Sequence, residues 1–142
     1  MNTIRIIGLT LTLIFASLNA QTPEASDPHA AITPVQAQLD AYNTGDLEGF
    51  LAAYHDSVKI YNFPDQLDYV GKERMRKVYG GMFERLKHLH CRLVNRIVMG
   101  NRIIDHESVI FEENGAPVEV VAMYKVEEGK IVEVRFLRKG KD

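Results

Sequence analysis

Apolar positions recur along this chain with two different periods, and the change from one to the other divides it. Val35, Leu39 and Tyr42 sit at helical spacing after Thr33-Pro34, a cap followed by a proline suited to the first helical position, and Asn43-Thr44-Gly45 ends the run. Asp46 is placed to cap a second helix whose Leu47, Phe50, Leu51 and Tyr54 form one face. SVKIYNF (57–63) alternates as a strand does, and Pro64 closes it. Gly71 leads into a third helix, where Met75, Val78, Tyr79, Met82, Phe83 and Leu86 fall on one stripe. From His90 the period drops to two. Gly100-Asn101 and Asn114-Gly115 suit two-residue hairpins, and Glu127-Glu128-Gly129 suits a three-residue loop. The pattern predicts three helices and an early strand, then a four-stranded antiparallel meander.

The hairpins set a register, and the register sorts the ionisable residues of RIIDHESVIF (102–111). With Asn114-Gly115 as the turn, Phe111 faces Val118, Val109 faces Val120, Glu107 faces Ala122 and Asp105 faces Tyr124. Directly opposed residues share a face. One face then collects Val109, Phe111, Val118, Val120, Ala122, Tyr124, Val126, Val132, Val134 and Phe136, and Asp105 and Glu107 lie on it. His106 falls on the other, mixed face with Val121, Met123 and Arg135. Burying two carboxylates costs several kcal/mol each unless they are paired or protonated. The Gly100-Asn101 turn offers partners, setting Arg96 opposite Asp105 and leaving Arg92 and Arg96 near Glu107. Two readings stay open: an inert salt ladder, or a pocket in which Asp105 or Glu107 acts as a base.

The ends of the chain add a location. Residues 1–20 carry Arg5, an apolar run from Ile6 to Phe15 and small residues up to Ala20, the pattern of a secretory signal peptide. Residues 21–33, rich in Pro, Ala, Ser and Asp, read as a flexible leader, so the domain is expected over 34–138 in a periplasmic or secreted protein with no stable membrane anchor after cleavage. About 110 residues suffice for one domain with a core of its own. The net charge of −2, or −3 without Arg5, leaves no footprint for nucleic acid. Cys91 is the only cysteine, so no intramolecular disulfide can form.

The order of these elements, with AYNTGDLEGFLAAYHDSV, GKERMRKVYGGMF and GNRIIDHESVIF, resembles the NTF2-like superfamily, and within it the SnoaL-like and ketosteroid-isomerase-like domains. The resemblance spans about residues 34–138. It implies an α+β fold in which a cone-shaped, curved antiparallel sheet wraps around three N-terminal helices and encloses a pocket for a small, mostly apolar molecule. It also implies a homodimer, for which the outer sheet face is the natural seam. Steroid isomerisation needs a carboxylate base and an oxyanion hole of a tyrosine and a protonated aspartate. Aligned on the NTGD string, the first-helix tyrosine position holds Gln38, the base position holds Asn62, and the aspartate position holds Ala122 or Tyr124. Only the third-helix tyrosine is kept, as Tyr79, which argues against that mechanism here.

The expected pocket residues are thus Gln38, Tyr54, Asn62, Tyr79 and Tyr124 for binding, with Asp105 or Glu107 as the acid or base. Such chemistry, of isomerase, dehydratase or cyclase type, calls for no cofactor. A non-catalytic periplasmic ligand-binding or protein-interaction module is the alternative. Asp65 and Asp68 belong to the loop before the third helix. His88-Leu89-His90-Cys91 lacks the spacing of a metal site, and no metal is expected. Phosphate-binding glycine loops and nucleophile elbows are absent from the sequence.

Overall fold

The computed structural model describes residues 28–139. The expected signal peptide and the first part of the expected leader lie outside the described residues. Nine elements follow in order: α1 (Pro28–Thr44), α2 (Leu47–Ala52), β1 (Tyr54–Asn62), β2 (Gln66–Val70), α3 (Lys72–Arg85), β3 (His90–Met99), β4 (Arg102–Ile110), β5 (Val118–Glu127) and β6 (Lys130–Arg138). The strands form one curved, unclosed sheet in the order β2-β1-β6-β5-β4-β3. Every neighbouring pair is antiparallel except β1 and β6, so the sheet is mixed where a purely antiparallel one was expected. Among the described residues no helix is long and apolar enough to cross a membrane.

The first helix starts five residues before the Thr33-Pro34 signal and carries Pro34 in its interior. Proline there removes one backbone bond. Burial offsets that loss: Ala31 and Val35 are core residues and Ile32 packs against them, so the turn before Pro34 has an apolar face to bury. Asp46 caps α2 as expected, accepting the Gly49 N–H at 3.0 Å. The helices bind to the sheet through specific polar ties as well as apolar packing. Asn43 at the end of α1 both donates to the Cys91 carbonyl (2.8 Å) and accepts the Cys91 N–H (2.7 Å), which fixes α1 against the start of β3.

β2 falls where a loop was expected, and Asp68 lies in it. It is an edge strand, mostly exposed, so it carries no alternation of apolar residues by which to be read. Asp65 pairs with Arg135 on the surface.

The meander has the expected strands with a shifted register. Val109 pairs with Val118, Glu107 with Val120, and Asp105 with Ala122, two residues away from the tight-hairpin assignment. Pro117 has no N–H to give the ladder, so pairing stops at Val118 and residues 111–117 form a longer connection. At the next turn Glu127 pairs with Lys130, leaving Glu128 (φ 49°) and Gly129 (φ 72°) as a two-residue loop in place of the expected three. A bulge at Lys125/Val126 then pairs Val126 with Ile131, which buries Ile131 in the position expected for Val132. A displacement of two leaves each side chain on its face. Asp105 and Glu107 are accordingly buried on the helix-covered side, and His106 lies outward against Glu119.

Candidate functional site

Helices α1, α2 and α3 and the concave side of the sheet enclose a cavity of about 110 Å³. Most of its wall is apolar. Leu39 and Tyr42 come from α1, Phe50 from α2, Tyr79 and Met82 from α3, and Val109, Val120 and Phe136 from the sheet. The Phe50 ring packs 4.3 Å from Tyr79 and 5.0 Å from Tyr54, centroid to centroid, and Tyr42 and Phe83 complete the cluster. Interlocked rings of this kind make a stiff wall. Gln38, Tyr54, Cys91, Glu107, Tyr124 and Arg138 bring polar atoms to it.

Four of those residues form one hydrogen-bonded chain. Tyr54 Oη donates to Gln38 Oε1 (3.2 Å), Gln38 Nε2 donates to Tyr124 Oη (3.2 Å), and Tyr124 Oη donates to Glu107 Oε1 (3.1 Å). While Glu107 is ionised these directions are forced, because a carboxylate only accepts and each hydroxyl has one proton to give. Burial pushes the Tyr54, Tyr79 and Tyr124 hydroxyls well above their usual range, so they act as donors. The Cys91 thiol is raised too, first by burial and then by Glu107, which accepts its proton in a hydrogen bond. Cys91 is therefore a thiol donor and not a thiolate.

Glu107 is 6% exposed and has no ion-pair partner among the described residues. Burial first, and the neighbouring Asp105 charge second, push it from the ordinary 4.5 to about 7, against the opposing hydrogen bonds from Tyr124 and Cys91 and the charge of Arg96. A carboxyl that titrates near neutrality both takes and returns a proton under ordinary conditions.

Asp105 is held quite differently. Fully buried, it accepts both Nε and Nη2 of Arg96 at 2.7 Å, a forked pair in which both carboxylate oxygens are engaged. Arg96 Nη1 reaches on to Gln36 Oε1 of α1 at 2.9 Å. This ion pair stitches β3 and β4 to the helix and places the Asp105 carboxylate beside Glu107.

The site residues read from the sequence divide accordingly. Gln38, Tyr54, Tyr79, Glu107 and Tyr124 meet at the cavity. Asp105 does not line it; as the partner of Arg96 it works through Glu107. Asn62 does not line it either, since its Oδ1 accepts from Arg138 Nη1 at 2.8 Å, and Arg138 is the residue that reaches the wall. Arg96 stands opposite Asp105 as expected, but Arg92 is exposed and pairs with Ser108, on the face away from Glu107. A bulge between Leu93 and Asn95 is the reason: it puts Arg92 and Arg96 on opposite faces despite their even spacing. Tyr42, on the apolar stripe of α1, also forms part of the wall. Arg138 was missed, because nothing in a lone arginine at the end of the last strand distinguishes it from a solvated one. His88 turns to Glu113 (3.5 Å) and Cys91 to Glu107, so the HLHC string does not converge.

Three helices held in a curved, unclosed sheet, with a cavity between them, define the NTF2-like, cystatin-like α+β class. Within it, the chain belongs to the SnoaL-like domain family, whose model matches residues 35–134. Solved structures agree in fold. An uncharacterized cystatin-fold protein from Novosphingobium aromaticivorans superposes with a TM-score of 0.70 at 24% identity, over 76% of this chain and 97% of that one. A candidate ketosteroid isomerase from Kribbella flavida gives 0.70 at 12% identity, over 82% and 83% of the two chains. A candidate SnoaL-like polyketide cyclase from Jannaschia sp. CCS1 gives 0.66 at 14%, over 78% and 86%. No curated protein matches the sequence.

Proposed function

We propose that this SnoaL-like protein is exported, binds a small, mostly apolar molecule in its cavity and moves a proton on it without a cofactor, with Glu107 as the group that takes and returns the proton. One observation carries the reading: a buried carboxyl with no cation paired to it faces the cavity at the end of the Tyr54–Gln38–Tyr124 chain. Tyr124 holds Glu107 in place, and Tyr79 and Phe50 supply apolar wall for the ligand. The candidate isomerase and candidate polyketide cyclase among the structural relatives fit chemistry of this kind. The steroid-isomerase arrangement is not reproduced, since Asn62 stands away from the cavity and the aspartate position holds Ala122 or Tyr124.

The test is a carbon-detected NMR titration of protein labelled at the glutamate carboxyls. Glu107 should titrate near 7, and its midpoint should fall in Asp105→Asn, where the neighbouring negative charge is gone. A Glu107 midpoint near 4.5 in the parent protein leaves the binding module without acid–base chemistry as the reading.

The proposal includes a homodimer through the outer face of the sheet. Ile97, Ile104 and Met123 form one cross-strand row there, flanked by Met99, with Ile97 53% and Met99 67% exposed. Contiguous apolar surface of this kind favours a partner. Sedimentation equilibrium should return twice the monomer mass for the parent and the monomer mass for Ile97→Glu; a monomeric parent removes the dimer.

A further inference from the structure

We propose that the cavity is built for small ring-bearing carboxylates, with the ligand's carboxylate on Arg138 and its ring against the aromatic wall. The inference deepens the reading of the Glu107 pocket and rests on it for where the ligand sits. Glu107 pairs with Val120 on β5, and Val120 pairs with Arg138 on β6, so a carboxyl and a guanidinium share one cross-strand row on the concave face. Two strand spacings put their Cα atoms roughly 10 Å apart. Both line the same cavity, and no ion pair joins them. The cavity that both line holds about 110 Å³ of space, and Phe50, Tyr79 and Phe136 line it as well.

Arg138, exposed at the edge of the cavity, differs from the ion-paired arginines. Arg76 is committed to Glu48, Arg96 to Asp105, and Arg102 and Arg135 to Glu133. Arg138 has no carboxylate partner among the described residues. Its Nη1 donates to Asn62 Oδ1, and its guanidinium carbon lies 5.1 Å from the Phe136 ring centroid. Those contacts orient the group while leaving the Nε–Nη2 edge without a hydrogen-bond partner among the described residues. That edge is the one that forks onto a carboxylate in the Arg96–Asp105 pair. Because Asn62 and Phe136 already hold the side chain, a ligand meets little ordering cost there. Asn62 is thus a positioning residue, one step removed from the ligand.

The whole protein would be titrated at pH 6 with benzoate, with neutral benzamide and with acetate, following backbone amide shifts by NMR. Benzoate should bind at least tenfold tighter than benzamide, and acetate, which has no ring, should be far weaker than benzoate. Arg138→Gln should bring benzoate to the level of benzamide, and Arg138→Lys should restore part of the difference. Asn62→Ala, which changes no charge, should weaken benzoate several-fold and leave benzamide unmoved. Equal affinity for acid and amide, a preference that survives Arg138→Gln, or no saturable benzoate shift at all would each overturn the proposal. A Glu107 midpoint near 4.5 together with a retained benzoate preference would remove the acid–base reading alone; a midpoint near 7 with no preference would remove this one alone.

Discussion

Arg96→Leu should destabilise the protein by roughly 3–5 kcal/mol, the range for stripping one partner from a buried ion pair. Asp105 is fully buried and has both oxygens on Arg96, whose side chain is itself only 12% exposed. Leucine would fill much of the space but leave the carboxylate facing apolar neighbours, and Gln36 Oε1 would lose its donor as well. With total stabilities of about 5–15 kcal/mol for domains of this size, such a loss removes a large share. Urea denaturation should show a lower midpoint at an unchanged slope. The double variant Arg96→Leu/Asp105→Leu separates causes, because replacing both charges with apolar side chains should recover most of the loss. A single-variant loss under about 1 kcal/mol would rank the pair with surface ion pairs. Arg96 also lowers Glu107's affinity for its proton, so removing it should move Glu107 further upward.

The second large effect is a pH-dependent gain of stability in Glu107→Gln. Folded, Glu107 holds its proton up to about 7; exposed in the unfolded chain it releases it near 4.5. Between those values the folded state carries the extra proton, so stability falls as pH rises through the window. The stabilising proton is fully in place below 4.5 and gone above about 7. Integrated over the window, the charged carboxyl costs the parent roughly 3 kcal/mol at pH 8. Glutamine keeps the shape and cannot ionise. Paired denaturation curves should therefore show Glu107→Gln more stable than the parent at pH 8 by that order, with the difference closing by pH 4. A difference that is constant with pH would mean that Glu107 ionises in the folded protein as it does in water. A group that lowers stability at neutral pH, in a cavity wall, fits the acid–base role proposed for it.

The fold was legible because its signals are periodic and redundant. The third-helix stripe from Met75 to Leu86 and the alternation from Val118 to Phe136 each repeat one message over several residues, so a lost or misread position does little damage. The face of Asp105 and Glu107 survived a register error of two residues for the same reason: faces have period two, and pairings do not. β2 lacked such a pattern because an edge strand exposed on both sides has no apolar face to repeat.

What the chain determined by itself is therefore the order of helices and strands, the inward side of the two carboxylates and the Arg96–Asp105 pairing, all of which follow from local periodicity and turn chemistry. What only the tertiary structure decided is the division of labour between those carboxylates. A bulge between Leu93 and Asn95 sends Arg96 inward and Arg92 outward, so one carboxylate has a cation and the other does not. The parallel pairing of β1 with β6 sets Asn62 beside Phe136 and within reach of Arg138, which gives the cavity its charged rim. Bulges and non-local strand pairings depend on the packing of the whole sheet, and no window of neighbouring residues encodes them.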